Sequence, residues 1–451
     1  MSTVLQKCLD ITPNGVIRPW SLQDYRLIRV QPWWPELRAT TSWLRLWADW
    51  PTLQPQREYA PDDPRSGGYG NLLAFDEQIK LAVADGLNVI LLPYRYPLWA
   101  NGTDKLSFNS DANLFYLPQD RVSFATFQRY LNAIGTPREA AEKERVRGAE
   151  KSREYNTPAS HGEDSLWAGY VDFLWQRYVV QAPEHGEVAA FEVVNEPNGQ
   201  LWPQRGPSGD QSSWAGRFSP VGSDLVIHKV VAEMMATLDA IADHHGQTML
   251  CLAPSTSDAD SAQPRITSNI TPTSYSANPG TFVDELLDEL DRIGFRGGPR
   301  WAWSFHNYND YELNQHRVEF LQDHIGKRWG GRRLNGVAEL WCTEGGCRLT
   351  RVRQRFGQNL SDEQVLNQQA EVIKEALHRH HWPGGEGAGV TMLTQYTLAA
   401  DPRFDAGLLD PGYAHRPAFD AWCGVRERGA QGENDPVEMP APSDLSSLSA
   451  H

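Results

Sequence analysis

Two glutamates in this chain stand where chemistry can be done. Glu196 follows the mostly apolar, β-favouring run Ala189-Ala190-Phe191-Glu192-Val193-Val194 and Asn195, and Pro197 comes directly after it. Proline has no N–H for a strand ladder, so the run must stop just past a carboxylate at its C-terminal end. Glu344 repeats the form: Val337-Ala338-Glu339-Leu340-Trp341-Cys342-Thr343 leads into it, and Gly345-Gly346 break the chain behind it. Two carboxyls converging on one cleft are what cleavage of a glycosidic bond needs. One acid protonates the leaving oxygen, and the other carboxylate attacks, or activates water against, the anomeric carbon. Either glutamate alone reads as a strand-end surface residue; the pair, in this order, reads as a site.

The elements that must hold them are legible as short apolar runs at 26–30, 43–47, 88–93, 189–194, 248–253, 301–305, 337–342 and 390–393. Segments of helical period lie between them. Leu72, Leu73, Phe75, Ile79, Ala82 and Val83 precede the stop signal Asp85-Gly86, and Val230, Met234, Leu238 and Ile241 share one face. Residues 123–135 and 165–180 also read as helices, and 417–425 as a closing helix with proline in its first turn. Buried strands alternating with helices, without period-two alternation or a Gly-rich phosphate loop, predict a parallel sheet. Eight repeats predict an α/β fold of the (β/α)8 TIM-barrel class with long βα loops; an open doubly wound sheet would need fewer strands. In such a barrel, catalytic side chains sit at the C-terminal ends of strands. The two glutamates are 344 − 196 = 148 residues apart. That is longer than three ordinary βα units, and the turn-rich stretches 198–222 and 254–280 account for the excess. Residues 1–425 are expected to form one catalytic domain with a charged, exposed insertion at 138–164. Residues 426–451, polar and rich in proline and serine, are expected to be a disordered tail.

The net charge of −15 over 451 residues argues against nucleic acid or an anionic membrane as partner. Seventeen Trp, 15 Tyr and 15 Phe supply flat rings with polar edges that suit a partly wet cleft. Trp47, Trp99, Trp202, Trp214 and Trp341 are candidates to line it. Five scattered cysteines make no disulfide framework, and Cys251 and Cys342 read as small buried hydrophobes. No cofactor is expected. A metal held by His306 and Asp310 would lack a second clustered histidine. The N-terminus has no basic segment followed by an apolar run, which predicts a cytoplasmic protein, or a secreted one if a leader was removed. Glu192, four residues before Glu196, shares its inward face by strand alternation and is expected to pair with a barrel arginine.

Phe191-Glu192-Val193-Val194-Asn195-Glu196-Pro197-Asn198-Gly199 resembles the acid/base signature of glycoside hydrolase clan A, family 5 above all, with family 39 as a neighbour. The resemblance runs through residues 40–400. It implies a (β/α)8 retaining glycosidase acting on an oligo- or polysaccharide or another glycoside. Glu196 would be the acid/base, Asn195 its neighbour on the sugar 2-hydroxyl, and Glu344 the nucleophile. His306-Asn307-Tyr308 is similar to the clan's His-x-Tyr after strand six, where the tyrosine bonds the nucleophile. Arg45 is similar to its strand-two arginine. Two places depart from the family. Pro93-Tyr94-Arg95-Tyr96 holds no histidine after strand three, and Met392-Leu393-Thr394-Gln395-Tyr396 holds no tryptophan on strand eight. Trp47, Tyr94, Gln395 and Tyr396 are therefore the candidates to meet the sugar, whose identity stays open. A carbohydrate-binding pseudo-enzyme or a transglycosylase would use the same scaffold. Arg45 and Tyr308 beside Glu344 are expected to keep it ionised, and the pair of glutamates predicts a bell-shaped pH–rate profile.

Overall fold

The computed structural model describes residues 5–10, 21–101, 166–198, 224–257, 279–313, 317–381, 389–401 and 404–425. The expected helix at 123–135, the insertion at 138–164, Trp202, Trp214 and the tail at 426–451 lie outside the described residues. The strands are β1 (Gln6–Asp10), β2 (Trp43–Asp49), β3 (Asn88–Tyr94), β4 (Ala190–Glu192), β5 (Leu250–Leu252), β6 (Trp301–His306), β7 (Arg333–Leu334), β8 (Val337–Ala338), β9 (Leu340–Glu344) and β10 (Val390–Tyr396). Eight of them, all but β7 and β8, close a parallel barrel. The fold is a (β/α)8 barrel. Helices flank it where the apolar period required them: Tyr69–Ala84 buries Leu72, Phe75, Ile79 and Ala82.

Three expectations about strands need correction. Residues 26–30 are not the first strand. They belong to the helix Leu22–Arg29 and its C-cap, which a capping box starts: Ser21 Oγ accepts from the Asp24 amide, and the Asp24 carboxylate accepts from the Ser21 amide. The first strand is β1, in register with β10 from Gln6↔Met392 to Asp10↔Tyr396 and with β2 up to Asp10↔Arg45. Its polar composition hides it. Lys7 is buried because its ammonium donates to the Trp422 carbonyl at 2.6 Å, under the closing helix Pro417–Gly424. The run 337–342 is likewise two elements. Val337–Ala338 turns back on Arg333–Leu334 as an antiparallel hairpin, and the barrel strand starts at Leu340. Finally, the strand before Glu196 stops at Glu192 rather than running to residue 194.

Alternation along the barrel strands stacks the interior in tiers. The floor is apolar: Cys8, Trp43, Ile90, Ala190, Leu252, Ala302, Trp341 and Met392 form one buried cluster. Two residues further along their strands come Asp10, Arg45 and Glu192, all fully buried. Above them Trp47, Leu92, Tyr94, Tyr308 and Tyr396 cluster at the C-terminal mouth. An apolar floor lies beneath a buried charged tier, and an aromatic rim lies above it at the C-terminal end of the barrel.

Candidate active site

Past Glu192 the chain keeps a looser hold on β5. The Val193 amide donates to the Leu252 carbonyl at 3.1 Å, Asn195 bridges Ser255, and the Glu196 amide donates to the Ser255 carbonyl at 2.9 Å. Glu196 itself has φ = 40°, the left-handed region that side-chain-bearing residues avoid. Its side chain is partly exposed over the cleft, with Oε1 2.8 Å from His306 Nδ1. Glu344 ends β9 across the mouth. Its Oε1 accepts from Arg45 Nη1 at 2.7 Å, and its Oε2 accepts from the Tyr308 hydroxyl at 3.0 Å. His306 Nδ1 lies 3.5 Å from the same Oε2, so one imidazole nitrogen faces both glutamates. An oxygen of Glu196, an oxygen of Glu344 and a ring nitrogen of His306 all lie within 4.8 Å of one another. Gly346 behind Glu344 is required. A Cβ on Gly346, at φ = 146°, would sit 2.9 Å from the Tyr396 carbonyl.

Arg45 organises the tier below. Nε and Nη2 grip Glu192 at 2.7 and 3.1 Å, and Nη2 also donates to Asn195 Oδ1 at 2.6 Å. Nη1 donates to Asp10 Oδ2 at 2.6 Å as well as to Glu344. All five guanidinium N–H donors are thereby matched to acceptors. Glu192 is the arginine's buried partner, as strand alternation requires, and Thr343 Oγ1 donates to it too at 3.2 Å.

Trp47 and Tyr94 pack at 4.3 Å between ring centroids, and Tyr308, Tyr396 and Phe404 meet edge-on within 6.3 Å to continue the wall. Glu196, Glu344, Asn195, Arg45, His306, Tyr308, Trp47, Tyr94 and Tyr396 are therefore brought together. Gln395 is not. Adjacent to Tyr396 on one strand, it points the opposite way, and its amide donates to the Ala406 carbonyl at 2.8 Å, pinning the loop behind β10. Trp341 packs on Trp43 in the barrel floor, and Trp99 packs on Trp50. Asp310 turns from His306 to accept from the Arg317 amide at 2.7 Å.

Asp10, the last residue of β1, is the participant that sequence reading missed. Its Oδ2 accepts from both Arg45 and the Trp47 indole N–H (3.1 Å), while Oδ1 is buried without a partner among the described residues. An acidic residue closing a short N-terminal run was the available signal. Burial raises the Asp10 carboxyl to about 7 against the pull of Arg45, and Glu344 adds to the rise. Burial also raises Glu344, opposed by His306 and Arg45 and reinforced by Glu196. The ordering expected from its cationic neighbours is thus outweighed by desolvation. For His306, burial acts downward, but Glu344 and then Glu196 overcome it and raise the imidazole. Burial and the Glu344 charge push Tyr308 well above its ordinary range, which keeps its hydroxyl a donor. All five cysteines are buried free thiols, and no helix among the described residues is long and apolar enough to cross a membrane.

No protein-family model matches this chain, and no curated protein matches it. Solved structures do. A GH5_18 protein from Bifidobacterium longum subsp. infantis aligns over 94% of this chain and 78% of its own at 12% identity, with a TM-score of 0.46. A GH39 beta-xylosidase from Caulobacter crescentus aligns over 92% of this chain and 73% of its own at 13% identity and a TM-score of 0.45. XacCel5A, solved with cellopentaose, aligns over 93% and 99% at 13% identity and a TM-score of 0.44.

Proposed function

We propose that this chain is a retaining β-glycosidase of the clan A kind, acting on an oligo- or polysaccharide or another glycoside through Glu196 and Glu344. The observation that carries the reading is the approach of one oxygen from each carboxylate to within 4.8 Å. Roughly 5 Å is the spacing at which one carboxylate attacks the anomeric carbon itself; a pair that admits water between them stands about 6.5 Å or more apart. Glu344 forms the bond to the anomeric carbon as the leaving oxygen departs with the Glu196 proton. Water then attacks the ester, Glu196 takes its proton, and the Glu344 carboxylate is released, so the configuration is retained. Arg45 and Tyr308 hold one oxygen of Glu344 each, fixing its aim. Asn195 has its Oδ1 on Arg45, and its Nδ2 is left to donate to a sugar hydroxyl. Trp47, Tyr94 and Tyr396 offer ring surface to the C–H face of the sugar. The test is a panel of 2-deoxy-2-fluoro β-glycosides followed by peptide mapping. The expected label is on Glu344; a label elsewhere, or no reaction across the panel, would overturn the assignment.

One observation favours a second reading. The same Glu196–His306–Glu344 trio has the ligand types and separation to hold a metal ion. A glycosidase working by the steps above keeps full activity after exhaustive chelation and dialysis. Activity lost to chelator and restored by one divalent metal would favour a metal-dependent hydrolase instead.

A further inference from the structure

Resting on the reading of Glu344 as nucleophile, we propose that Asp10 is a positioning residue whose own charge drives Glu344 onto the anomeric carbon through the guanidinium nitrogen they share. Arg45 Nη1 donates to Asp10 Oδ2 at 2.6 Å and to Glu344 Oε1 at 2.7 Å, and every other N–H of the arginine is committed to Glu192 or Asn195. Three carboxylates thus share one buried cation, and the His306 imidazole, among the described residues, pairs with Glu344 and Glu196. Buried charge in that surplus is costly, so the cluster holds at least one proton.

Burial raises both Asp10, to about 7, and Glu344, so that proton is shared within the Asp10–Glu344 pair. The charged groups acting on Asp10 are Arg45 from β2 and Glu344 from β9; Glu192 from β4 shares that arginine, Cys8 lies on its own strand, and Tyr396 is its register partner on β10. Only Arg45 among them, with the neutral donor Trp47, favours the Asp10 anion. With Asp10 neutral, Nη1 serves Glu344 alone and lowers its reactivity. With Asp10 ionised, two anions share that nitrogen. Glu344 loses its charge as it bonds to carbon, so the transition state relieves the repulsion and the attack accelerates.

The experiment isolates the attack by using a 2,4-dinitrophenyl 2-deoxy-2-fluoro glycoside, whose leaving group needs no acid. The inactivation rate of wild type should show two rises with pH, a first that belongs to ionisation of Glu344 and a second, about three- to tenfold and near pH 7, that belongs to Asp10. Asp10→Asn should keep the first rise and lose the second. Trp47→Phe removes the indole donor to the Asp10 anion, so the second rise should move to higher pH. Melting temperature gives a reading independent of turnover. Folded Asp10 keeps its proton to about pH 7, against 3.8 for the unfolded group, so the folded chain binds more protons in that window. Wild-type stability should therefore fall relative to Asp10→Asn as pH rises from about 4 to 7. A second rise persisting in Asp10→Asn, or absent from a wild type that does label on Glu344, would overturn this inference alone. No labelling of wild type at any pH would overturn it together with the proposed function.

Discussion

Glu344→Gln is expected to lower kcat/KM on aryl β-glycosides by on the order of 10⁵-fold, because in the proposed mechanism Glu344 is the group that forms the glycosyl bond. The loss should be the same for good and poor leaving groups. The nucleophile is needed whichever oxygen departs. Glutamine keeps its oxygen as acceptor for Arg45 Nη1 and turns its amide N–H toward the Tyr308 hydroxyl oxygen, so failure to fold is not the expected cause, and circular dichroism checks this. Glu344→Ala opens the position instead. Azide added to that variant should attack from the Glu344 side and give a glycosyl azide of inverted configuration, identified by NMR. Activity of Glu344→Gln within tenfold of wild type would end the assignment.

Glu196→Ala should behave differently, and the difference is diagnostic. Loss of the proton donor should cost about 10³- to 10⁴-fold on substrates with poor leaving groups, yet little in the first step for dinitrophenyl or fluoride leaving groups. Hydrolysis of the ester should then become limiting, so a burst of released phenol and a low KM are expected with activated substrates. Azide should rescue this variant as well, but by attacking the ester, giving a product of retained configuration. Opposite azide products from the two variants would separate acid/base from nucleophile. The same product from both would show that the roles are misassigned.

Glu196 and Glu344 were legible because apolar runs ending in a carboxylate and then proline or glycine mark the neighbourhood of a strand's C-terminal end; β9 ends at Glu344 itself, whereas β4 stops at Glu192. Glu192 was reachable from parity, since residues two apart on a strand share a face, whereas Arg45 came from its similarity to the family's strand-two arginine. The same parity argument excludes Gln395 once Tyr396 is placed inward; the two cannot both line the cleft. The hairpin before β9 had a local signal as well. Leu334-Asn335-Gly336-Val337 is an Asn-Gly turn, with φ of 52° and 85° at its centre, as a two-residue hairpin loop requires. What was hidden is β1. Nothing local distinguishes Lys7 as a buried residue, because the carbonyl that satisfies it belongs to Trp422, 415 positions away. Asp10 went unseen with its strand. A polar strand is stabilised by partners that only the closed barrel supplies.

The left-handed backbone at Glu196 bears on how such a chain can change over generations. A residue with a Cβ held there carries a strain of roughly 1 kcal/mol or more in every folded molecule. Glycine, or to a lesser degree asparagine, relaxes that strain at the level of the main chain, and neither can hand a proton to a departing oxygen. With Glu196 as the proposed proton donor, drift toward greater robustness at this one codon leads away from turnover. Copies released from selection for activity would be expected to lose the acid here first while keeping the barrel intact.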